Sequence, residues 1–239
     1  MIDLDGTVLP ESNQPTEAVV NAVVAASKEI PVAIASGRAQ DDVCHYARLF
    51  GLTTLQVADN GATLIDPVTG RAAIRRTFSK ADAMHTVSLL EPAASRVLVC
   101  DAGVFVPMSK DIAHWDITLI MAEFATEADA IEWAERVEST AVTGSVSVDN
   151  VDKWYIDCTP AGVDKGFGAR SFAEAVGVDL VDLMVIGDGW NDIPMFEVAG
   201  IGVAMDSAPT ELLDLATDTV PGIDHDGAAI AINRYVLNR

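Results

Sequence analysis

The chain has 239 residues, 50% of them apolar, and carries 36 Asp and Glu against 15 Lys and Arg, for a formal charge of -21. An apolar share of 50% with 21% charged residues suffices for a sizeable core and excludes a disordered chain. The acidity repels polyanions and sets aside nucleic acid and anionic membrane surfaces as partners, while the length fits one large domain or two small ones.

Along the chain, only Met1 and Ile2 precede an Asp3-Leu4-Asp5-Gly6-Thr7 segment. A central parallel strand usually has about five or six residues, so we expect either a natural start upstream or an unusually short strand. From Pro15 to Glu29, Ala18, Val19, Ala22, Val23 and Ala26 recur at helical spacing. The apolar run Pro31 to Ala35 predicts a buried strand, followed by a Ser36-Gly37-Arg38 turn, a helix over about Gln40 to Phe50 and a short strand Thr54 to Ala58. This alternation implies a parallel sheet with helices on both faces.

The pattern changes after Asn60-Gly61. Ala62 to Asp66 and Ala72 to Arg76 flank Pro67-Val68-Thr69-Gly70, a hairpin signature. Between about Ser79 and Thr159 we expect a helix, strands Arg96 to Cys100 and Val104 to Met108, a helix opening at Thr126 with Asp129 three residues on, and strands Ser145 to Val148 and Trp154 to Cys158. The first pattern then returns, with a helix from Lys165 to Val176, strand Leu183 to Gly187, helix Asn191 to Ala199, strand Ile201 to Ala204 and a last helix from about Gly227. The expected fold class is therefore α/β, a Rossmann-like parallel-sheet core over residues 1–78 and 160–239 with an α+β cap inserted over 79–159.

Cys44, Cys100 and Cys158 sit in apolar stretches without CxxC spacing and read as reduced core thiols of a cytoplasmic protein. The most apolar run, Ala18 to Ala26, is interrupted by Asn21 and falls short of the ~18 residues a membrane span needs. MIDLDGT has no basic region followed by an apolar stretch, so no signal peptide is expected there.

Four short segments carry chemistry. Asp3 and Asp5 stand two apart at the end of the first strand, so both can face one crevice before Gly6 turns the chain. Gly187-Asp188-Gly189-Trp190-Asn191-Asp192 again puts carboxylates at a strand end, and carboxylates meeting there suit a hard cation such as Mg²⁺. Ser36-Gly37-Arg38 positions a hydroxyl and backbone amides for an anion before a helix, and Lys165 places a fixed positive charge at a helix start. His45, His85, His114 and His225 have no metal-ligand spacing.

DLDGT at 3 to 7, SGR at 36 to 38, GVDKG at 162 to 166 and GDGWND at 187 to 192 resemble, in order, the signatures of the haloacid dehalogenase superfamily, specifically its Cof-type phosphatases with a large α/β cap of the C2B type. The resemblance spans the chain. It implies Asp3 as the nucleophile that becomes an aspartyl-phosphate, and Asp5 as the acid that protonates the leaving oxygen and then the base that activates water. It implies Mg²⁺ held by Asp3, the Asp5 backbone carbonyl and Asp188, with Asp192 reaching it directly or through water. Phosphate contacts would come from Gly6, Thr7, Ser36, Gly37, Arg38, Lys165 and Asn191, with Asn191 orienting Lys165 or the phosphate, and Ser36 and Lys165 counted as catalytic. The implied activity is phosphoric monoester hydrolysis of a small metabolite of the sugar phosphate or phosphoglycolate type, by a monomer or homodimer. The alternatives are a phosphomutase of the same fold, like phosphomannomutase, and a noncatalytic phosphate-binding protein, which the retention of both Asp3 and Asp5 argues against.

The substrate is less legible. Lys80 to Thr159 holds 14 acidic residues and 5 basic ones, Lys80, Arg96, Lys110, Arg136 and Lys153, a net of -9. A second anionic group on the substrate needs one of these, or Arg38, aimed into the site. That tilts the expectation toward neutral polyol and sugar phosphates, with phosphoglycolate open. Trp115 and the Trp154-Tyr155 pair are expected to pack, half-buried, within the cap.

Overall fold

In the computed structural model, which describes residues 1–108, 112–148 and 153–238, α1 (Glu17–Ala26) starts on Thr16, whose hydroxyl accepts from the Val19 amide, and buries Val19, Ala22, Val23 and Ala26. Next come α2 (Gln40–Leu49) and β1 (Gln56–Ala58). The strands expected at the start of the chain and over Pro31 to Ala35 are extended segments joined by single parallel bridges, Ile2 to Ile34 and to Ile186, and Ala35 to Val57. Side chains replace the missing ladder bonds: Gln56 Oε1 accepts from the Ile34 amide, and the Thr54 hydroxyl donates to the Val32 carbonyl.

β2 (Thr63–Asp66) and β3 (Arg71–Arg75) form the expected hairpin. Then α3 (Lys80–Leu90), β4 (Arg96–Asp101), β5 (Val104–Val106), β6 (Ile117–Phe124), α4 (Glu127–Val137), β7 (Val142–Val148) and β8 (Trp154–Pro160) build an antiparallel sheet of order β5-β4-β6-β8-β7 with two helices. α4 begins as predicted, with Thr126 accepting from the Asp129 amide. The central strand β6 is absent from the expected elements. Its apolar run does not alternate because both faces are covered, Ile120, Ala122 and Phe124 by their own layer and Leu119 by Ala39 and Cys100.

α5 (Lys165–Val176) occupies its expected span and is followed by β9 (Met184–Gly187). The helix expected over Asn191 to Ala199 is a 3₁₀ turn, Trp190–Asp192, running into the short α6 (Ile193–Phe196). β10 (Ile201–Met205) follows, then α7 (Thr210–Leu215) and β11 (Asp218–Val220), which the sequence reading lacks, and α8 (Gly227–Ile232).

β11, β10 and β9 are parallel, and the bridges continue them through Ile2 and Ile34 to β1. The chain thus starts in the middle of a doubly wound sheet, with Ile34 and β1 on one side and β9 to β11 on the other. The switch point between Ile2 and β9 is where such sheets open a crevice at their carboxyl ends. Cys44, Cys100 and Cys158 are buried free thiols, and among the described residues no helix is long and apolar enough to cross a membrane.

Candidate active site

Asp3 and Asp188 end the two segments that flank the switch point. Gly6 lets them meet: its φ is +78°, and a Cβ there would stand 2.0 Å from Asp188 Oδ2. The Thr7 hydroxyl donates to Asp188 Oδ1 at 2.6 Å. In the loop after β9, the amides of Asp188 and Gly189 each donate to Asp192 Oδ2 at 2.9 Å, which leaves Oδ1 for Lys165. Lys165 is the first residue of α5, behind Asp164, whose carboxylate accepts from the Phe167 amide. Its Nζ donates to Asp3 Oδ1 and to Asp192 Oδ1, both at 2.6 Å, and all three side chains are buried.

One carboxylate oxygen from each of Asp3, Asp188 and Asp192 lies within 4.8 Å of the others. Burial favours a neutral Lys165 amine, but Asp192 and Asp3 outweigh it and hold the ammonium charged. Three carboxylates around one ammonium leave surplus negative charge. Burial, together with the charges of Asp192, Asp188 and Asp5, holds Asp3 well above the ordinary carboxylate range, with Lys165 pulling the other way. Burial and the Asp192 charge lift Asp188 to about 7, against the Thr7 hydrogen bond. A buried excess of hard oxygen donors fits a divalent cation, so this cluster can hold a metal ion.

The Asp5 side chain turns away from that cluster. Its two oxygens accept from Arg38 Nε at 2.9 Å and Arg38 Nη2 at 2.6 Å, and the guanidinium also donates to Asn13 Oδ1 and lies 5.5 Å from the Tyr46 ring centroid. Ser36 is buried, and its hydroxyl accepts from the Arg38 amide at 3.1 Å. The Asn191 amide donates to Asn60 Oδ1 at 3.4 Å.

Above these groups lies a crevice of about 250 Å³. Its floor includes Asp3, Asp5, Ser36, Gly37, Asp188 and Asn191, and its roof comes from the antiparallel sheet. Met121 pairs with Asp157 across β6 and β8, and Ser147 pairs with Tyr155 across β7 and β8, so these four share one sheet face over the floor. A Cβ added to Gly37 would stand 3.1 Å from Asp157 Oδ2, which measures how closely floor and roof meet.

The chain matches the profile of the haloacid dehalogenase-like hydrolase family in two segments, residues 1–111 and 104–232. The chain belongs to this family. Among its relatives is a phosphoglycolate phosphatase of Methanosarcina acetivorans, 29% identical over 97% of this chain and 93% of that one. A haloacid dehalogenase-like hydrolase from B. subtilis superposes with a TM-score of 0.83 at 22% identity, covering 98% of this chain and 99% of that one. A subclass IIB sugar phosphatase superposes with a TM-score of 0.81 at 19% identity, covering 98% and 97%. This haloacid dehalogenase-like hydrolase has the α/β core and inserted cap of its family.

Of the positions singled out in the hydrolase's sequence, Asp3, Ser36, Gly37, Arg38, Asp188 and Asn191 line one crevice with Asp5. Lys165 lies beneath it, bonded to both Asp3 and Asp192. Asp157, Asn13 and Asn60 were not foreseen. Asn13 and Asn60 offer no local signal, but an acidic residue inside the apolar run Trp154 to Cys158 is itself a flag, because burying a carboxylate is costly. Tyr155, expected to pack half-buried within the cap, is buried and faces the crevice, and Trp115 packs under Lys80 at 3.8 Å.

Proposed function

We propose that the chain is a Mg²⁺-dependent phosphatase that hydrolyses small phosphorylated metabolites through an aspartyl-phosphate on Asp3. The observation that best supports this is the convergence of Asp3, Asp188 and Asp192 with buried Lys165 under the crevice. Asp3 attacks phosphorus, the bond to the ester oxygen breaks, and Asp5 gives that oxygen its proton. Asp5 then takes a proton from water, the water oxygen attacks phosphorus, and phosphate leaves with Asp3 restored. Asp5 must first exchange Arg38 for a proton, and Arg38 keeps Asn13 and the Tyr46 ring as partners when it does. Ser36 and Lys165 bind phosphoryl oxygens, with Lys165 offsetting the charge that gathers there during transfer. Gly6, Thr7, Gly37, Arg38 and Asn191 complete the surroundings of the phosphate.

Asp3, Asp188, Asp192 and the Asp5 backbone carbonyl would hold Mg²⁺, which when bound neutralises charge on the transferring group. Residues 79–159 serve as the substrate-recognising cap over a core of residues 1–78 and 160–239. The relative named for phosphoglycolate and the structural neighbour named for sugar phosphates make those two kinds of monoester the candidates. The buried free thiols suit a reducing compartment, the cytoplasm.

The test is phosphate release from sugar phosphates, phosphoglycolate and nucleotides, with millimolar Mg²⁺ and with excess chelator. Release that requires Mg²⁺ is expected. Release undiminished by chelation overturns the metal requirement, and no release from any monoester with Mg²⁺ overturns the whole reading.

A further inference from the structure

Five carboxylates, those of Asp3, Asp5, Asp42, Asp157 and Asp188, line the crevice with one cation, Arg38. Arg38 binds both Asp5 oxygens and Asn13, and in the reading above it turns from Asp5 to the surroundings of the transferring phosphate. The basic residues of the cap are engaged elsewhere: Arg96 and Lys153 pair with Glu123, Arg136 pairs with Glu132, and Lys80 lies over Trp115. Lys110 lies outside the described residues. Among the described residues that line the crevice, no further cation faces a second anionic group on a substrate.

Asp157 stands alone on the roof. It is 3% exposed, takes part in none of the described ion pairs, and accepts from the Ser147 hydroxyl. Its Oδ2 hangs over Gly37, beside the turn that would carry the phosphoryl group. Burial, with the Asp5 charge adding, raises its carboxyl to about 6, against the Ser147 hydrogen bond and Lys165. A buried acceptor with spare lone pairs and no cation suits hydroxyl donors and repels carboxylates.

Resting on the phosphatase reading above, we propose that Asp157 is a specificity-determining residue that accepts hydrogen bonds from hydroxyl groups of the substrate's alcohol portion. The crevice thereby takes neutral polyhydroxy phosphomonoesters and rejects those, such as phosphoglycolate, that carry a second anion there.

The experiment compares kcat/KM for glycerol 1-phosphate and phosphoglycolate in Mg²⁺, for the full chain, Asp157→Asn and Asp157→Ser, with thermal melts to show that each variant is folded. The unsubstituted protein should prefer glycerol 1-phosphate by about tenfold or more, a difference of ~1.4 kcal/mol. Either folded variant should lower that preference by a similar factor, mainly through a smaller KM for phosphoglycolate. An unsubstituted protein that handles phosphoglycolate at least as well as glycerol 1-phosphate overturns the inference, whatever the variants do. So does a folded variant whose preference shifts less than threefold. If the unsubstituted protein releases phosphate from neither compound nor from p-nitrophenyl phosphate, the phosphatase reading itself has failed. Release with an unmoved preference sinks the specificity inference alone.

Discussion

The floor and the roof of the crevice are built on opposite principles. On the floor, the charged groups around Asp3 are held by named partners: Lys165 by two carboxylates, Asp192 by Lys165 and two backbone amides, Asp188 by Thr7, and Asp5 by a forked guanidinium. On the roof, Met121, Ser147 and Tyr155 surround one carboxylate that takes part in none of the described ion pairs. A site that performs one reaction profits from groups locked in a single geometry, which is how preorganised electrostatics works. A surface that selects among alcohols needs acceptors that are not already spent.

The contrast predicts how each part fails. Asp3→Asn should lower hydrolysis by ~10⁴-fold or more while the fold survives, as the loss of a nucleophile does. It also removes one of several crowded carboxylates, so the melting temperature should hold or rise, and near-normal turnover would refute the mechanism. Lys165→Met leaves Asp3, Asp188 and Asp192 facing one another without their ammonium and should cost about 3–5 kcal/mol of stability, read by urea unfolding. A loss below about 1 kcal/mol would mean that the floor is not held by this ion network.

The roof should respond in the other direction. The folded protein holds Asp157 at about 6, above its ordinary 3.8, so folding takes up a proton between those values. The side chain therefore costs stability above pH 6 and nothing below about pH 4. Asp157→Asn should accordingly stabilise the protein at pH 7.5 by at most ~3 kcal/mol, and the gain should vanish at pH 4. A variant less stable at pH 7.5 would show the roof to be as tightly paired as the floor. The smallest effect is expected for Thr7→Val, which frees Asp188 Oδ1 and should weaken Mg²⁺ binding by ~10-fold, measured by calorimetry, with the melting temperature of the metal-free protein little changed.

The same contrast explains what the sequence reveals. The floor is written in short turns where neighbours in the chain are neighbours in space. Asp188 and Gly189 bind Asp192 within five residues, and Gly6 and Thr7 follow the segment that delivers Asp3, so residue type and spacing expose the arrangement. The roof is assembled across strands. Asp157 faces the crevice because β8 pairs with β6 in one register, and β6 hides in an apolar run whose lack of alternation masks it as a strand. The parallel core is legible from its alternation, but the Pro31 to Ala35 segment meets β1 by a single bridge, with Gln56 and Thr54 taking the Ile34 amide and the Val32 carbonyl, a side-chain event that no hydrophobic period announces. The Arg38 to Asp5 fork is likewise silent in sequence, since 33 residues separate its partners.

The narrow gap at Gly37 has an evolutionary consequence. With 3.1 Å between a hypothetical Cβ at 37 and the Asp157 carboxylate, a side chain at 37 requires that carboxylate to yield by a few tenths of an ångström. Among descendants of this chain, a side chain gained at 37 should travel with a shorter one at 157. Substrate preference would then drift in steps of two residues, leaving the phosphoryl chemistry beneath untouched.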